Sequence, residues 1–164
     1  LHLSIRRQRQ MCIRDRDKKT EQAKLAYKLH WFDMFNRRAL YLKKTGYPVV
    51  IGGDFNVMMQ DIDVFDGSRF KNSPLYRKEV WDKIKALQFS GYHDAFRLLH
   101  PQAEGFTFWD YTANSFVTNS GLRIDYLFIT AQFAEQLVTC GADKSLRSMD
   151  KPSDHTALVA EFGK

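Results

Sequence analysis

Hydrophobic residues recur every three or four positions in the first part of the chain. The recurring positions are Leu25, Leu29, Phe32, Phe35, Ala39 and Leu42. This spacing places them on one face of an amphipathic helix, which Thr20 can cap and which Gly46 and Pro48 end. The apolar run at residues 49–51 then predicts a buried β-strand. A helix followed by a strand is typical of layered α/β folds.

Helical and strand patterns follow each other in the rest of the chain. Residues 57–75 are polar and predict a long loop, near whose end Ser73 and Pro74 suit the cap and first turn of a helix. The buried stripe of that helix is Val80, Ile84 and Leu87, and Gly91 closes it. A shorter helix is predicted at residues 94–100. Strands are predicted at residues 106–111, 124–130, 137–140 and 156–162.

Several polar residues lie at the ends of predicted strands, where burial alone does not favour them. They are Asp54, Asn56, Asp125, Asp154 and His155. Asp54 and Asn56 follow two glycines that break the first strand, which presents them at its carboxyl end, where open α/β sheets bind ligands. A purely structural interpretation also exists, in which Asp125 forms an ion pair with a neighbour such as Arg123 and Asp154 caps a turn.

Three carboxylates, an amide and an imidazole are together what metal-assisted phosphodiester hydrolysis requires. A hard divalent cation prefers oxygen ligands and offsets the charge of a phosphate. A carboxylate can align or deprotonate water, and a histidine oriented by an aspartate can stabilise charge on the phosphoryl oxygens.

The two cysteines, Cys12 and Cys140, form no disulfide framework. A reducing cytosol fits best, and no apolar run is long enough to cross a bilayer.

The net charge of +6 does not by itself indicate a nucleic-acid partner. Residues 1–19 contain seven of the 25 basic residues and two of the 19 acidic residues, so residues 20–164 carry only +1. The basicity is therefore a property of the tail, which shows no cap, turn or apolar period. We interpret residues 1–17 as a non-native or disordered tail, with a basic nucleic-acid-binding arm as the alternative.

Three motifs and one aromatic segment resemble the exonuclease III family of the endonuclease/exonuclease/phosphatase superfamily. The motifs are Gly52-Gly-Asp54-Phe-Asn56-Val, Gly121-Leu-Arg-Ile-Asp125-Tyr and Lys151-Pro-Ser-Asp154-His155, and Phe106-Thr-Phe-Trp109-Asp-Tyr111 precedes the second. The resemblance extends from about residue 20 to the C-terminus. It implies a Mg²⁺-dependent abasic-site endonuclease and 3′-exonuclease, with Mn²⁺ as an alternative metal. The implied partner is double-stranded DNA with abasic sites or 3′ ends, bound by a cytoplasmic protein that is a monomer at full length.

The resemblance also implies a role for each residue of the catalytic set. Asp54 would orient or deprotonate the attacking water, and Asn56 would hold the scissile phosphate or that water. Asp125 would orient His155, which would contact a phosphate oxygen and stabilise the charge that develops there. Asp154 would help to bind the metal, directly or through water.

Five further residues would contact the substrate according to the same resemblance. Phe108 and Trp109 would form part of an apolar pocket or wedge that accepts a base-free sugar, unless they are ordinary core residues. Arg69, Lys71 and Asn72 lie in the polar loop and would contact the DNA backbone, unless that loop is simply solvated.

The implied fold is a four-layer α/β/β/α sandwich of the DNase I type, with a mixed, largely antiparallel sheet flanked by helices. In this family an N-terminal half supplies a Glu that binds the metal, whereas Glu21 is the only Glu before Asp54 here. We therefore interpret residues 18–164 as the C-terminal half of such a domain and expect it to be inactive alone. The alternatives are a phosphoesterase of the same superfamily acting on RNA, a phosphoinositide or a sphingolipid, and a non-catalytic DNA-binding fragment.

Overall fold

The computed structural model describes residues 18–70 and 73–163, with side chains from residue 21 onward. The helices are α1 Lys18–Lys44, α2 Gly67–Phe70, α3 Lys78–Phe89, α4 Ala95–Leu99 and α5 Ala131–Gln136. The strands are β1 Val50–Asp54, β2 Tyr92–Asp94, β3 Asp125–Thr130, β4 Leu137–Ala142 and β5 Leu158–Phe162. Short 3₁₀ turns lie at Asp61–Asp63 and Lys144–Ser148. The interpretation of residues 1–17 and the roles of Lys71 and Asn72 concern residues outside this description.

Strand β3 lies at the centre of the fold. It pairs antiparallel with β1 on one side and β2 on the other, while β4 and β5 form a separate antiparallel pair. Because side chains alternate along a strand, Tyr126 and Phe128 pack against helices α1 and α3, and Leu127 and Ile129 pack against the β4–β5 side. The three-stranded sheet therefore lies between a helical layer and a second pair of strands.

The helical pattern predicted for the first part of the chain is confirmed by α1. Phe32 and Ala39 are buried, and Leu25, Leu29 and Phe35 of the apolar stripe pack around them, whereas Leu42 is partly buried outside this cluster. The ring of Phe55, which follows β1, contacts both α1 and the sheet. Its centroid lies 5.4 Å from that of Phe35 in α1 and 5.2 Å from that of Phe128 in β3. The helix begins at Lys18, so Thr20 lies inside it and is not its cap.

The beginning of the next helix differs from the prediction. Val80, Ile84 and Leu87 are buried as expected, but α3 begins at Lys78 rather than near Pro74. Residues 73–76 instead form a turn, in which Tyr76 N–H donates to the Ser73 carbonyl at 3.0 Å. The polar stretch before it is also more ordered than a plain loop, because it contains α2 and the first 3₁₀ turn.

Some strand predictions are confirmed and others are not. The predicted strands that overlap β3, β4 and β5 are present, and α4 confirms the short helix at residues 94–100. Strand β1 is present but mostly exposed, because Ile51 alone of its five residues packs against the core beneath the helices, and Gly52 and Gly53 continue the strand rather than break it. Residues 106–111 form no regular strand, since only Phe108 makes isolated bridges there. Among the described helices, none combines the length and apolar character needed to span a membrane.

Gly121 allows residues 106–109 to approach the segment that leads into β3. A Cβ atom at this position would lie 2.6 Å from Trp109 Nε1 and 2.7 Å from Phe106 Cβ, closer than non-bonded atoms tolerate. We expect Gly121→Ala to lower the free energy of unfolding by about 1–3 kcal/mol in a urea titration, because buried aromatic residues must move. Gly141→Ala is the matched control, since a Cβ there meets nothing within 4 Å. Equal losses in both variants would contradict this account of the packing.

Candidate active site

Two aspartates from separate motifs lie opposite each other in the sheet. Strand β1 ends at Asp54 and β3 begins at Asp125, and the antiparallel register pairs these two residues. Directly opposite residues of a sheet project to the same face, so the two carboxyl groups share one side of it. Both are partly buried, with 34% of the Asp54 side chain and 17% of the Asp125 side chain exposed. The strand register therefore brings the first and second motifs together.

Asn56 closes a tight turn immediately after β1. Its backbone φ is 51°, a left-handed conformation that asparagine adopts more readily than most residues. Its main-chain N–H donates to Asp54 Oδ1 at 2.9 Å, and its side-chain Nδ2 donates to Asp54 Oδ2 at 2.8 Å. Lys28 of α1 donates its ammonium group to the Asn56 carbonyl. Asn56 Oδ1 is buried and has no hydrogen-bond partner among the residues that the structure describes, which leaves an acceptor that a bound ligand or water would satisfy.

His155 lies between the two aspartates. Its Nδ1 is 2.9 Å from Asp125 Oδ2, and its Nε2 is 3.9 Å from Asp54 Oδ2. A hydrogen on Nδ1 can therefore be donated to the Asp125 carboxylate, which fixes the orientation of the ring and leaves Nε2 on the side of Asp54. This contact brings the third motif to the first two.

Thr107 is a site residue that the sequence patterns did not single out. Its buried hydroxyl donates to Asp125 Oδ2 at 2.7 Å and accepts the main-chain N–H groups of Asp125 at 3.2 Å and Ile124 at 3.3 Å. The Asp125 carboxylate is therefore held by the protein itself as well as by His155. The one available signal was a polar residue between two phenylalanines in the aromatic segment.

Burial and nearby charges shift the pKa values of three groups at the site. Burial raises the pKa of Asp54, and the neighbouring charge of Asp125 raises it further. Burial alone would lower the pKa of His155, but the hydrogen bond and charge of Asp125, with the charge of Asp54, outweigh it and raise that pKa. Burial lowers the pKa of Lys28 to about 8, against the opposing effect of Asp54. A protonated imidazole beside carboxylates is suited to stabilising a negatively charged oxygen.

Asp154 lies beside the cluster without completing a metal site. Its carboxylate accepts a hydrogen bond from the Ser153 hydroxyl at 3.3 Å, and its charge contributes to the raised pKa of His155. Within residues 18–70 and 73–163, no three His, Cys, Asp or Glu side chains are arranged to hold a metal ion.

The two aromatic residues predicted to contact the substrate have different environments. Phe108 is partly buried, and its ring lies edge-on to His155 with the centroids 5.0 Å apart. Trp109 is fully buried, packs edge-on against Phe116 and lies below the ammonium group of Lys144. Because these neighbours cover the indole ring, Trp109 packs as a core residue within the described part of the chain, and its role in a substrate pocket stays a prediction. The role of Phe108 stays a prediction.

The basic residue described in the polar loop is not part of this cluster. Arg69 lies in α2, where its guanidinium forms an exposed ion pair with Asp66 at 3.5 Å and lies over the Phe65 ring. These contacts are local to its own segment. A role for Arg69 at the DNA backbone stays a prediction.

A buried ion network, absent from the sequence predictions, lies behind the site. Arg123 is only 1% exposed, and it donates to Asp63 and Asp94 at 2.7 Å each. Arg97 donates to the same Asp63 carboxylate at 2.6 Å. Arg123 is therefore the partner of Asp63 and Asp94, whereas Asp125 pairs with His155.

The chain is similar in sequence to a family of known proteins. The sequence profile of the Endonuclease/Exonuclease/phosphatase family matches residues 14–155. The chain is 35% identical over 134 residues to exodeoxyribonuclease III of Haemophilus influenzae, an alignment that covers 74% of this chain and 49% of that protein. It is 31% identical over 137 residues to DNA repair nuclease APEX1 of Danio rerio, covering 83% of this chain and 43% of that protein.

Solved structures show the same relationship. An AP endonuclease from Archaeoglobus fulgidus is 34% identical, with a TM-score of 0.78, over 85% of this chain and 55% of that one. A 3′ phosphatase from Neisseria, bound to a product DNA hairpin, is 27% identical, with a TM-score of 0.83, over 86% of this chain and 55% of that one. These similarities confirm the predicted fold class. The chain spans about half the length of the relatives it matches.

Proposed function

The chain belongs to the endonuclease/exonuclease/phosphatase family, and from this premise we propose that it is the C-terminal part of a DNA nuclease of the exodeoxyribonuclease III type. The observation that carries the proposal is the convergence of Asp54, Asp125 and His155 at one end of the β1–β3 pair. Phosphodiester hydrolysis needs a group that directs water and a group that stabilises charge on phosphate, and this cluster offers both. The similarity to only about half of each relative supports a partial domain, which we expect to be inactive alone.

Each residue of the cluster has a defined task in this proposal. Asp54 aligns the attacking water and accepts its proton. Asp125 holds His155 so that Nε2–H can donate to a non-bridging phosphate oxygen and stabilise the charge that develops there. Asn56 holds the water or the scissile phosphate, because its free Oδ1 can accept a hydrogen bond from water and the second Nδ2 hydrogen, which Asp54 does not use, can donate to a phosphate oxygen.

The proposed cofactor is Mg²⁺, with Mn²⁺ as the alternative. When bound, the ion supplies positive charge that offsets the phosphate. Asp154 would contribute one oxygen ligand. The described residues do not complete the site, so further ligands have to come from outside them.

The proposed substrate is double-stranded DNA with abasic sites or 3′ ends. The names of an AP endonuclease and of a 3′ phosphatase bound to a DNA hairpin among the similar structures support this choice. Phe108, next to His155, would face the sugar, and Arg69, Lys71 and Asn72 would contact the backbone.

We also propose that the protein is monomeric and cytoplasmic. The free thiol of Cys140 is buried, and burial raises its pKa to about 11, which fits a reducing compartment.

The proposal is tested by assaying this chain beside a longer version that carries the upstream sequence of its own gene. Substrates are an abasic-site duplex, a duplex ending in a 3′-phosphate, a single-stranded RNA and phosphoinositide vesicles. We expect the longer version to cleave the abasic duplex with Mg²⁺, to stop in EDTA, and to lose turnover on Asp54→Ala. Cleavage of RNA or lipid without cleavage of DNA would overturn the substrate assignment, and turnover by this chain alone would overturn the partial site.

A further inference from the structure

Arg147 is a buried arginine that forms no part of the cluster described above. It lies in the 3₁₀ turn Lys144–Ser148, and only 6% of it is exposed. Its Nη1 donates to the Ser153 carbonyl at 2.7 Å, and its Nη2 donates to the Trp109 carbonyl at 3.3 Å. One guanidinium group therefore bridges two main-chain segments that are far apart in sequence.

The two segments that Arg147 bridges are those that carry the site. Trp109 N–H donates to the Asp154 carbonyl at 2.9 Å, and Thr156 N–H donates to the Thr107 carbonyl at 2.8 Å. The segment with Thr107 thus runs beside the segment with Asp154 and His155. Arg147 lies next to this pairing and joins the two carbonyls that flank it.

Aromatic rings enclose the same guanidinium group. Its centre lies 5.5 Å from the Tyr111 ring and 5.2 Å from the Phe116 ring, and the Tyr111 hydroxyl donates to the Pro152 carbonyl at 2.9 Å. No carboxylate in residues 21–70 or 73–163 forms an ion pair with Arg147.

Burial of the Arg147 guanidinium without a carboxylate partner carries a desolvation cost. An apolar side chain of similar size would pack between the rings without that desolvation cost. What an apolar side chain or a lysine cannot supply is a rigid, planar fork that reaches two carbonyl groups at once. The two-carbonyl bridge is therefore the feature that distinguishes arginine at this position.

We propose that Arg147 is a positioning residue that holds the loop carrying Asp154 and His155 in place against the segment carrying Thr107. Because Thr107 and His155 both bind the Asp125 carboxylate, the spacing of these two segments determines whether all three meet. Only the tasks of Asp154 and His155 in this inference rest on the proposed function; the bridge itself does not.

The test is amide hydrogen exchange, followed by NMR, on the full chain with Arg147→Lys and Arg147→Met. We expect the amides of Trp109 and Thr156 to exchange at least about 10-fold faster in both variants, while the amides paired within β3 change less than about twofold. Arg38→Met is the matched control, because Arg38 also lies over an aromatic ring, that of Tyr41, but on α1. This control should change neither Trp109 nor Thr156.

Several outcomes would overturn the positioning role. One is wild-type protection of Trp109 and Thr156 in Arg147→Lys, because charge alone would then suffice. Another is an equal loss at every amide of β3, which would indicate a general effect on stability. If Arg147→Met does not fold, Arg147→Lys decides the question.

A second measurement separates this inference from the proposed function. In the longer version, we expect Arg147→Lys to lower kcat for the abasic duplex by about 10- to 100-fold with KM nearly unchanged. If the exchange results agree but the parent protein cleaves no DNA, the positioning role stands and the proposed function falls. If the parent cleaves DNA and the variant has a normal kcat, the positioning role falls.

Discussion

Arg123→Met is expected to lower the free energy of unfolding by about 3–5 kcal/mol, the cost typical of removing one partner from a buried ion pair. The substitution leaves the Asp94 carboxylate without the guanidinium that it contacts at 2.7 Å. Asp63 has no exposed surface and, within the described part of the chain, keeps only Arg97 as a charged partner. Because a domain of this size has about 5–15 kcal/mol in total, this loss is a large fraction of its stability.

The same substitution also affects the loop that follows β1. The second oxygen of Asp63 accepts the main-chain N–H groups of Met59 and Gln60 at 3.0 Å each. Asp63 thus ties this loop to β3 through Arg123. A carboxylate that shifts toward solvent after the loss of Arg123 would release both N–H groups, which adds to the cost.

A urea titration followed by circular dichroism measures the change, with Lys78→Met as the control. Lys78 pairs with Asp82 at 2.9 Å, a distance similar to that in the network, but the two side chains are 79% and 53% exposed. We expect the control to change stability by less than about 1 kcal/mol. If Arg123→Met fails to fold, Arg123→Lys provides the comparison. A loss as small as that of the control would show that the buried network contributes no net stability.

His155→Ala is expected to reduce kcat for the abasic duplex by about 10²- to 10⁴-fold in the version of the protein that cleaves DNA. Asp125→Asn is expected to have a similar effect, since the two side chains act through one contact of 2.9 Å. Groups that act as a unit show non-additive losses. The double variant should therefore be little slower than His155→Ala.

Single-turnover rates over a range of pH distinguish the roles of the two residues. Asp125→Asn removes the negative charge of Asp125 and leaves at most a weaker, neutral acceptor for His155, so both effects of Asp125 that raise the pKa of His155 are reduced. The part of the pH profile that requires a protonated imidazole therefore moves to lower pH. His100→Ala is the control, because the His100 Nε2 lies 3.1 Å from the Cys140 carbonyl on the β4 side, and its kcat should stay within about twofold. Losses that multiply in the double variant would indicate two independent functions.

The sequence predicted the helices whose buried residues recur at a regular spacing. The apolar stripe of α1 and the Val80, Ile84 and Leu87 stripe of α3 both face the sheet, because a helix with one apolar face has a single way to bury it. The placement of Asp125 at the start of the most apolar strand was also visible in the sequence. A charged residue beside such a strand requires a partner, and this requirement pointed to the site.

The features that the sequence did not predict depend on contacts between segments that are distant in sequence. Arg123 and Asp125 are close in sequence, which favoured an ion pair between them, yet Arg123 bonds to Asp63 and Asp94. The burial of Trp109 depends on the chain that folds over it, including Phe116 and Lys144, and no local pattern records that cover. The exposure of β1 likewise depends on the neighbours that its residues meet, since of its five residues only Ile51 packs against the core beneath the helices.

The pairing of Asp54 with Asp125 makes the number of residues in β1 a functional property. Each residue advances a strand by about 3.4 Å and turns the next side chain to the opposite face. A one-residue insertion or deletion between Val50 and Asp54 would therefore move the carboxylate away from Asp125 and His155, even if every side chain were kept. Selection on such a site acts on strand length more strictly than on side chains such as that of Val50, which is 42% exposed. Homologous chains are accordingly expected to keep the length of this strand constant, including where an exposed residue such as Val50 is replaced.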